Sequence, residues 1–356
     1  MAPIRVAVLG VGFSANVFQI PFILALPEVY KLHTILERKA TAEKSVARDK
    51  YGHLDIKVVT DISDVTGDPE VDLVVVSVKD HAHYDYSKRA LLAGKHVILE
   101  KPVTATSEEM RDLIRIAKDK QVVLAPYHNR RFDGDFRTVR SLLEDGKLTE
   151  LVDFESRFDL RADWPMGQPG GAAGITYGLG SHLIDQVVAL FGAPKTVTAL
   201  LDNGRGEGHP DVDDSFTIHL RYASTPVLVT LRSALHSVLS RQVRFIIRGK
   251  ETSYVKYGLD PQEPQIMTQG MSPLDPGFGE ETEDRWGEFG KRENGKITFE
   301  KIKTLPGSYK GYYSNVASAI LGTGTLEVTP EQAELGIRIV EAAKRSAKEK
   351  KTVDFE

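Results

Sequence analysis

Cysteine is absent from the 356 residues. Disulfides, thiolate nucleophiles and cysteine-ligated zinc are therefore excluded, and a reducing compartment fits. Tryptophan is scarce, with 2 residues, Trp164 and Trp286. Either ring is able to stack on a sugar face, although packing in a core or at a rim is the default reading. An excess of one charge is also missing: 46 Lys and Arg stand against 50 Asp and Glu, a formal net charge of −4. That balance gives no electrostatic footprint for nucleic acid or an acidic membrane surface. The apolar run IPFILAL (20–26) is far shorter than the roughly 20 residues a bilayer demands. The opening MAPIRVAVLG carries no basic leader, so a soluble, cytoplasmic protein is expected. No HExxH pattern or compact His/Asp cluster is visible along the chain, and no metal ligand is assigned.

The length suits two domains of roughly 100 to 200 residues each. In the first third, apolar runs alternate with helical patterns: IRVAVLG (4–10), KLHTILE (31–37), VDLVVVSV (71–78), HVILE (96–100) and VVLAPYH (122–128). Near-continuous apolar strands separated by helices predict a parallel sheet covered on both faces. After residue 128 the pattern changes. SHLIDQVVALFG predicts a helix, and 214–222, 226–235, 242–249 and 252–258 alternate as antiparallel strands do. The acidic stretch 273–290 has neither period and reads as a long loop, either a lid or solvated. The tail 329–351 reads as a helix capped by Thr329, with Pro330 in its first turn and Gln332 completing a capping box. The expected architecture is α/β, with a Rossmann domain at 1–128. An α+β domain at 129–356, built on a mainly antiparallel sheet, is expected to follow.

VLGVGFSANVF places Gly10, Gly12 and Ala15 in the pattern G-x-G-x-x-A directly after a strand. Gly10 permits the tight turn, Gly12 lets a pyrophosphate approach the backbone, and Ala15 lets the helix pack on the sheet. Phe13 and Ser14 complete the turn. At the end of the second strand an acidic residue would hold a ribose diol, whereas cations would hold a 2′-phosphate. ILERKAT offers both, Glu37 beside Arg38 and Lys39. Two adjacent cations clamp a phosphate dianion, which favours NADP, with NAD as the alternative. HVILEKPVTAT then ends a buried strand with Glu100, Lys101 and Pro102. Ligands sit outside the carboxyl ends of strands in such sheets, and the residue before proline stays extended. Lys101 is therefore aimed where a nicotinamide and its substrate would meet, and its ammonium suits polarising an oxygen and relaying a proton.

These motifs, with AGKHVILEKP (93–102), YHNRRFDGDF (127–136) and GLGSHLID (178–185), make the chain resemble the Gfo/Idh/MocA oxidoreductases over nearly its whole length. Within that family it most resembles the NADP-dependent branch typified by scyllo-inositol dehydrogenase. The resemblance implies an open sheet in the domain at 129–356, which serves substrate binding and oligomerisation, hydride transfer between nicotinamide and a sugar, polyol or keto-sugar, and homodimers or homotetramers formed through that C-terminal sheet. It also implies roles for particular residues. Lys101 touches cofactor and substrate, and His182 is the acid/base. Asp185 and Tyr127 contact substrate, and Asn129 contacts substrate or nicotinamide. Ser77, Glu100 and His83 join the cofactor site, His83 near the ribose. Two rivals stay open: a cofactor-binding regulator without turnover, and an enzyme using transient redox for elimination or hydrolysis.

Two departures from the family stand out. Val78, Lys79 and Asp80 replace a Thr-Pro-Asn or Thr-Pro-Ser stretch. Gly178 stands where the family commonly has an Asp four residues before the histidine, a spacing that would orient the imidazole. Ser181 is expected to cap the helix, so that its positive end favours neutral His182. Asp185 is expected to substitute partly for the missing carboxylate. Arg130 and Arg131 are read either as anion ligands or as structural ion pairs.

Overall fold

The computed structural model describes residues 2–164 and 168–355. The chain divides into two compact units. One comprises Met1–Asn129, Glu263–Phe278 and Ser308–Glu334; the other comprises Arg130–Gln262, Gly279–Gly307 and Leu335–Glu356.

The first unit holds β1 (Ile4–Leu9), β2 (Tyr30–Leu36), β3 (Lys57–Val59), β4 (Leu73–Val76), β5 (His96–Leu99) and β6 (Leu124–Pro126). They form a parallel sheet in the order β3-β2-β1-β4-β5-β6. Strand β4, LVVV, is buried throughout, as a strand covered on both faces must be. The order reverses between β1 and β4, so the loops leaving these strands diverge and open a crevice at their carboxyl ends. Register fixes what lines it. Leu9 pairs with Val76 and Val76 with Leu99, which sets Gly10, Ser77 and Glu100 in one row.

Two later segments join this unit. In the helix Tyr309–Ile320, Tyr312 and Tyr313 are buried, with ring centroids 4.9 and 6.0 Å from that of Tyr127. Tyr30 donates its hydroxyl to the Tyr313 carbonyl at 2.7 Å. A single cut at 128/129 does not describe this return of the chain.

The second unit carries a mixed, mainly antiparallel sheet. Its strands are β7 (Leu151–Arg157), β8 (Thr196–Asp202), β9 (Ser215–Arg221), β10 (Leu228–Ala234), β11 (Val243–Gly249), β12 (Thr252–Tyr257), β13 (Gly287–Glu293), β14 (Lys296–Ile302) and β15 (Val353–Asp354). Their order is β14-β13-β12-β11-β7-β10-β9-β8-β15, and β7 and β10 run parallel. Along β9, Phe216, Ile218 and Leu220 are buried, while Thr217 and His219 on the other face are half-buried. The expectation of a loop over 273–290 needs correction at its end, because β13 begins at Gly287. The turn that pairs β13 with β14 is Asn294–Gly295, with φ of 51° and 77°. That dipeptide closes tight hairpins, but it lies beyond the acidic stretch. The capping box at Thr329 forms as expected. Thr329 N–H donates to Gln332 Oε1 at 3.3 Å, and Gln332 N–H donates to Thr329 Oγ1 at 3.2 Å. Among the described residues, no helix is long and apolar enough to cross a membrane.

Helix Gly134–Glu144 starts over a buried carboxylate. Asp260 Oδ2 accepts the Gly134 N–H at 2.7 Å, and Oδ1 accepts the main-chain and side-chain N–H groups of Gln262, both at 2.9 Å. Burial outweighs these donors and pushes the Asp260 carboxyl up to about 6. The folded chain thus keeps this proton to a higher pH than the unfolded chain, whose aspartates titrate near pH 3.9. Stability therefore falls as pH rises through about 4 to 6, by on the order of 3 kcal/mol from this group. Denaturant titrations across that range are expected to show the decline in the native sequence and to lose this component in Asp260→Asn.

Candidate active site

The dinucleotide turn follows from its backbone. Gly10 has φ +109°, and a Cβ there would lie 2.5 Å from the Ser77 carbonyl oxygen, so only glycine fits. At Gly12 an added Cβ meets nothing within 4 Å. The backbone there is open to a group as close as a pyrophosphate, and in this respect the turn fits a dinucleotide. Asn16 braces it: its amide donates to the Val11 and Gly12 carbonyls at 2.7 and 2.8 Å, and its oxygen accepts the Tyr51 hydroxyl at 2.7 Å. Neither Asn16 nor Tyr51 was among the expected site residues. The one available signal was an asparagine a turn beyond Gly12, able to reach back to the i−4 carbonyl. Ala15 is fully buried against the sheet, and Phe13 is 56% exposed beside the turn. The helix opens with a π turn, Ala15–Gln19, a form frequent at functional sites.

At the end of β2 the ambiguous charges separate. Glu37 accepts the Ser45 hydroxyl at 2.7 Å and the Val46 and Ala47 N–H groups at 3.0 Å each, at the start of helix Val46–Tyr51. Burial opposes its charge, yet these hydrogen bonds together hold its carboxyl below the usual value. Arg38 and Lys39 are exposed.

Glu100 is buried. It accepts hydrogen bonds from the Ser14 hydroxyl, from Gln19 Nε2 at 2.8 Å and from the Lys101 N–H at 2.9 Å. It thereby ties the strand carrying Lys101 to the helix that follows the glycine turn. His83, expected near a ribose, is buried with both ring nitrogens on main-chain carbonyls, Nδ1 to Pro102 at 2.8 Å and Nε2 to Val78 at 3.1 Å. It pins the loop after Lys101 to the end of β4. Tyr127, expected to touch substrate, donates its buried hydroxyl to the Phe18 carbonyl at 2.7 Å. Asn129 is 4% exposed. Gly10 to Ala15, Ser77, Glu100 and Lys101 are thus brought together at the carboxyl edge of the first unit's sheet.

The other expected residues belong to the second unit. A π turn, Thr176–Gly180, runs without a break into helix Ser181–Phe191. Ser181 is therefore not the cap. The helix starts at Thr176, whose N–H and hydroxyl both donate to Asp213 Oδ2, at 2.8 and 2.7 Å. His182 lies beyond the first turn, where the helix dipole has faded, so the argument that a positive helix end keeps it neutral fails. Asp213, whose carboxyl burial pushes up, is a positioning residue that gave no local signal in the sequence.

His182 is buried, its ring centroid 6.4 Å from that of Phe158. Asp185 directs its two oxygens to Arg131, which donates from Nε at 2.7 Å and Nη2 at 2.6 Å. Of the two readings of Arg131, the structural ion pair is the one present. Gln186 continues the clamp. Its Nε2 donates to the Arg130 carbonyl at 2.7 Å, and its oxygen accepts Arg244 Nη2 at 2.7 Å. Arg244 in turn donates to Asp135 at 3.0 Å. The segment NRRFDGD thus sets the rotation of the helix that carries His182.

Trp164 is 49% exposed, and the Trp286 indole donates to the Glu281 carbonyl at 3.3 Å. Folding also creates a grouping hidden along the chain: His33, Asp68 and Glu70 have ligand atoms within 4.8 Å of one another. An ammonium already serves its carboxylates, since Lys57 Nζ lies 2.9 Å from Asp68 and 3.3 Å from Glu70.

A glycine turn at the switch point of a six-stranded parallel sheet, with a lysine ending the next strand but one, defines a dinucleotide-binding oxidoreductase. Residues 4–128 match the oxidoreductase family with an NAD-binding Rossmann fold, and residues 140–355 match that family's C-terminal alpha/beta domain. The chain belongs to the Gfo/Idh/MocA oxidoreductase family. It is 39% identical to the uncharacterized oxidoreductase C26H5.09c of Schizosaccharomyces pombe, over 98% of this chain and 97% of that one. It is 36% identical to scyllo-inositol 2-dehydrogenase (NADP(+)) IolW of Bacillus subtilis, over 99% and 96%. The crystal structure of an oxidoreductase from Bacillus cereus superposes with a TM-score of 0.89 at 32% identity, covering 99% of each chain.

Proposed function

We propose that the protein is an NADP-dependent dehydrogenase or reductase acting on the CH–OH group, or the corresponding ketone, of a cyclic polyol or sugar. The observation that carries the cofactor choice is the division of labour after β2. Glu37 is engaged by Ser45, Val46 and Ala47, while Arg38 and Lys39 stay exposed beside it. A carboxylate held this way is poorly available to a ribose diol, and two exposed cations suit a 2′-phosphate. The relative that oxidises scyllo-inositol with NADP(+) supports the substrate class.

Residues 1–128, with the later segments that join their unit, hold the dinucleotide and the rest of 129–356 shapes the substrate site, with a homodimer or homotetramer forming through the sheet of the second unit in the cytoplasm. The turn Gly10 to Ala15 receives the pyrophosphate. Ser77, His83, Glu100 and Asn129 complete the cofactor site, the middle two by fixing its walls. NADP, when bound, supplies the hydride acceptor. The Lys101 ammonium polarises the substrate oxygen and lowers the cost of its losing a proton. His182 takes that proton, directly or through Lys101, and returns it in the reverse direction. Asn129, Tyr127 and Asp185 border the substrate, the last two as positioning residues.

Calorimetric titration with NADP and NAD, followed by turnover on inositols and keto-sugars, tests this reading. Binding of neither coenzyme overturns it; tight binding without turnover points to a regulator instead. Arg38→Ala with Lys39→Ala is expected to weaken NADP by at least about tenfold, since each charge-assisted hydrogen bond is worth roughly 1.5–3 kcal/mol. NAD affinity should change by less than about twofold on the same basis.

A further inference from the structure

Most glycines around the functional helices have a local reason to be glycine. Gly10 needs its positive φ; at Gly174, with φ +91°, an added Cβ would lie 2.0 Å from Asp213. At Gly180 it would lie 3.2 Å from the Phe216 ring. Gly178 is different. Its backbone is right-handed within the π turn, and an added Cβ meets nothing within 4 Å. Neither conformation nor packing among the described residues asks for glycine there, yet glycine in a helix is less stable than alanine. Gly12 and Gly52 are also open: the open side of Gly12 is the approach for a pyrophosphate, and Gly52 ends the helix Val46–Tyr51, where glycine is common.

Gly178 precedes His182 by four residues, about one turn, so the two share a side of the helix. We propose that Gly178 is a specificity-determining residue. The space beside its Cα receives an exocyclic substituent, of about methyl to hydroxymethyl size, on a cyclic polyol or pyranose whose reacting hydroxyl is served by His182. This inference rests on the dehydrogenase reading above.

The test uses full-length protein and pairs of substrates that differ by one such group: glucose against xylose, and a mono-O-methyl inositol against the parent inositol, each with NADP and NAD. In Gly178→Ala the ratio of kcat/KM for the substituted over the unsubstituted partner is expected to fall at least about fivefold, since a methylene-sized change in a fitted site is worth roughly 10- to 200-fold. The melting temperature is expected to hold or rise by roughly 0.5–1.5 °C. A ratio changing by less than about fivefold overturns the proposal. So does a melting temperature lowered by more than about 5 °C, because the glycine is then structural. Absence of native turnover on every one of the four, and on the keto-sugars named above, with either coenzyme rejects the dehydrogenase reading itself, an outcome visible before any variant is made.

Discussion

Lys101→Met is expected to slow hydride transfer by about 10²- to 10⁴-fold, the usual worth of a positioned proton donor or acceptor. The side chain follows the carboxyl end of β5, and its main-chain N–H is held by buried Glu100 at 2.9 Å. Glu100 is itself anchored to Ser14 and Gln19, so the turn that bears the lysine stays in place when the ammonium is removed. Methionine keeps most of the volume and removes the charge. Single-turnover kinetics should register the loss while calorimetry still records dinucleotide binding. A variant that retains more than about a tenth of the native rate would show that the ammonium does not act on the reacting oxygen.

The second large effect concerns the pair behind His182. Arg131 and Asp185 are buried, with side chains 2% and 3% exposed, and meet through two short hydrogen bonds. Arg131→Met leaves a carboxylate in the interior without its cation, which typically costs about 3–5 kcal/mol. For a chain of 356 residues that corresponds to a melting temperature lower by roughly 4–7 °C. Arg131→Met combined with Asp185→Leu removes both charges and is expected to recover much of the loss, because well-packed apolar groups replace buried ion pairs at little cost. Equal destabilisation in the single and double variants would mean that packing around the guanidinium, and not the charge pair, holds the helix.

The first unit was legible because its signals are local. Glycines at fixed offsets after an apolar strand, and Glu-Lys-Pro after another, declare their geometry within about ten residues. The strand β3 escaped since three residues, Lys57–Val59, carry no period. In the second unit the strands with clean alternation, β9 to β12, could be read. The hairpin of β13 and β14 could not, because β13 (GEFGKRE) offers one large apolar side chain, Phe289, and the alternation in β14 stops after Ile297 and Phe299. Site residues divided in the same way. Lys101 and the glycine turn follow from the chain itself, whereas the roles of Glu37, His83 and Asp185 depend on partners that folding brings. Glu37 looks like a ribose ligand until Ser45 and the next helix claim it, and Asp185 looks like a substrate ligand until Arg131, 54 residues earlier, meets it.

The tyrosine-bearing helix Tyr309–Ile320 has a practical corollary for anyone grafting coenzyme specificity between relatives. A gene fragment ending at residue 129 would lack Tyr312 and Tyr313, whose rings abut Tyr127 and whose hydroxyls reach the Ala125 carbonyl and Gln19. The coenzyme half is thus not a cassette with one splice point. A working chimera has to transplant three separated stretches of sequence together.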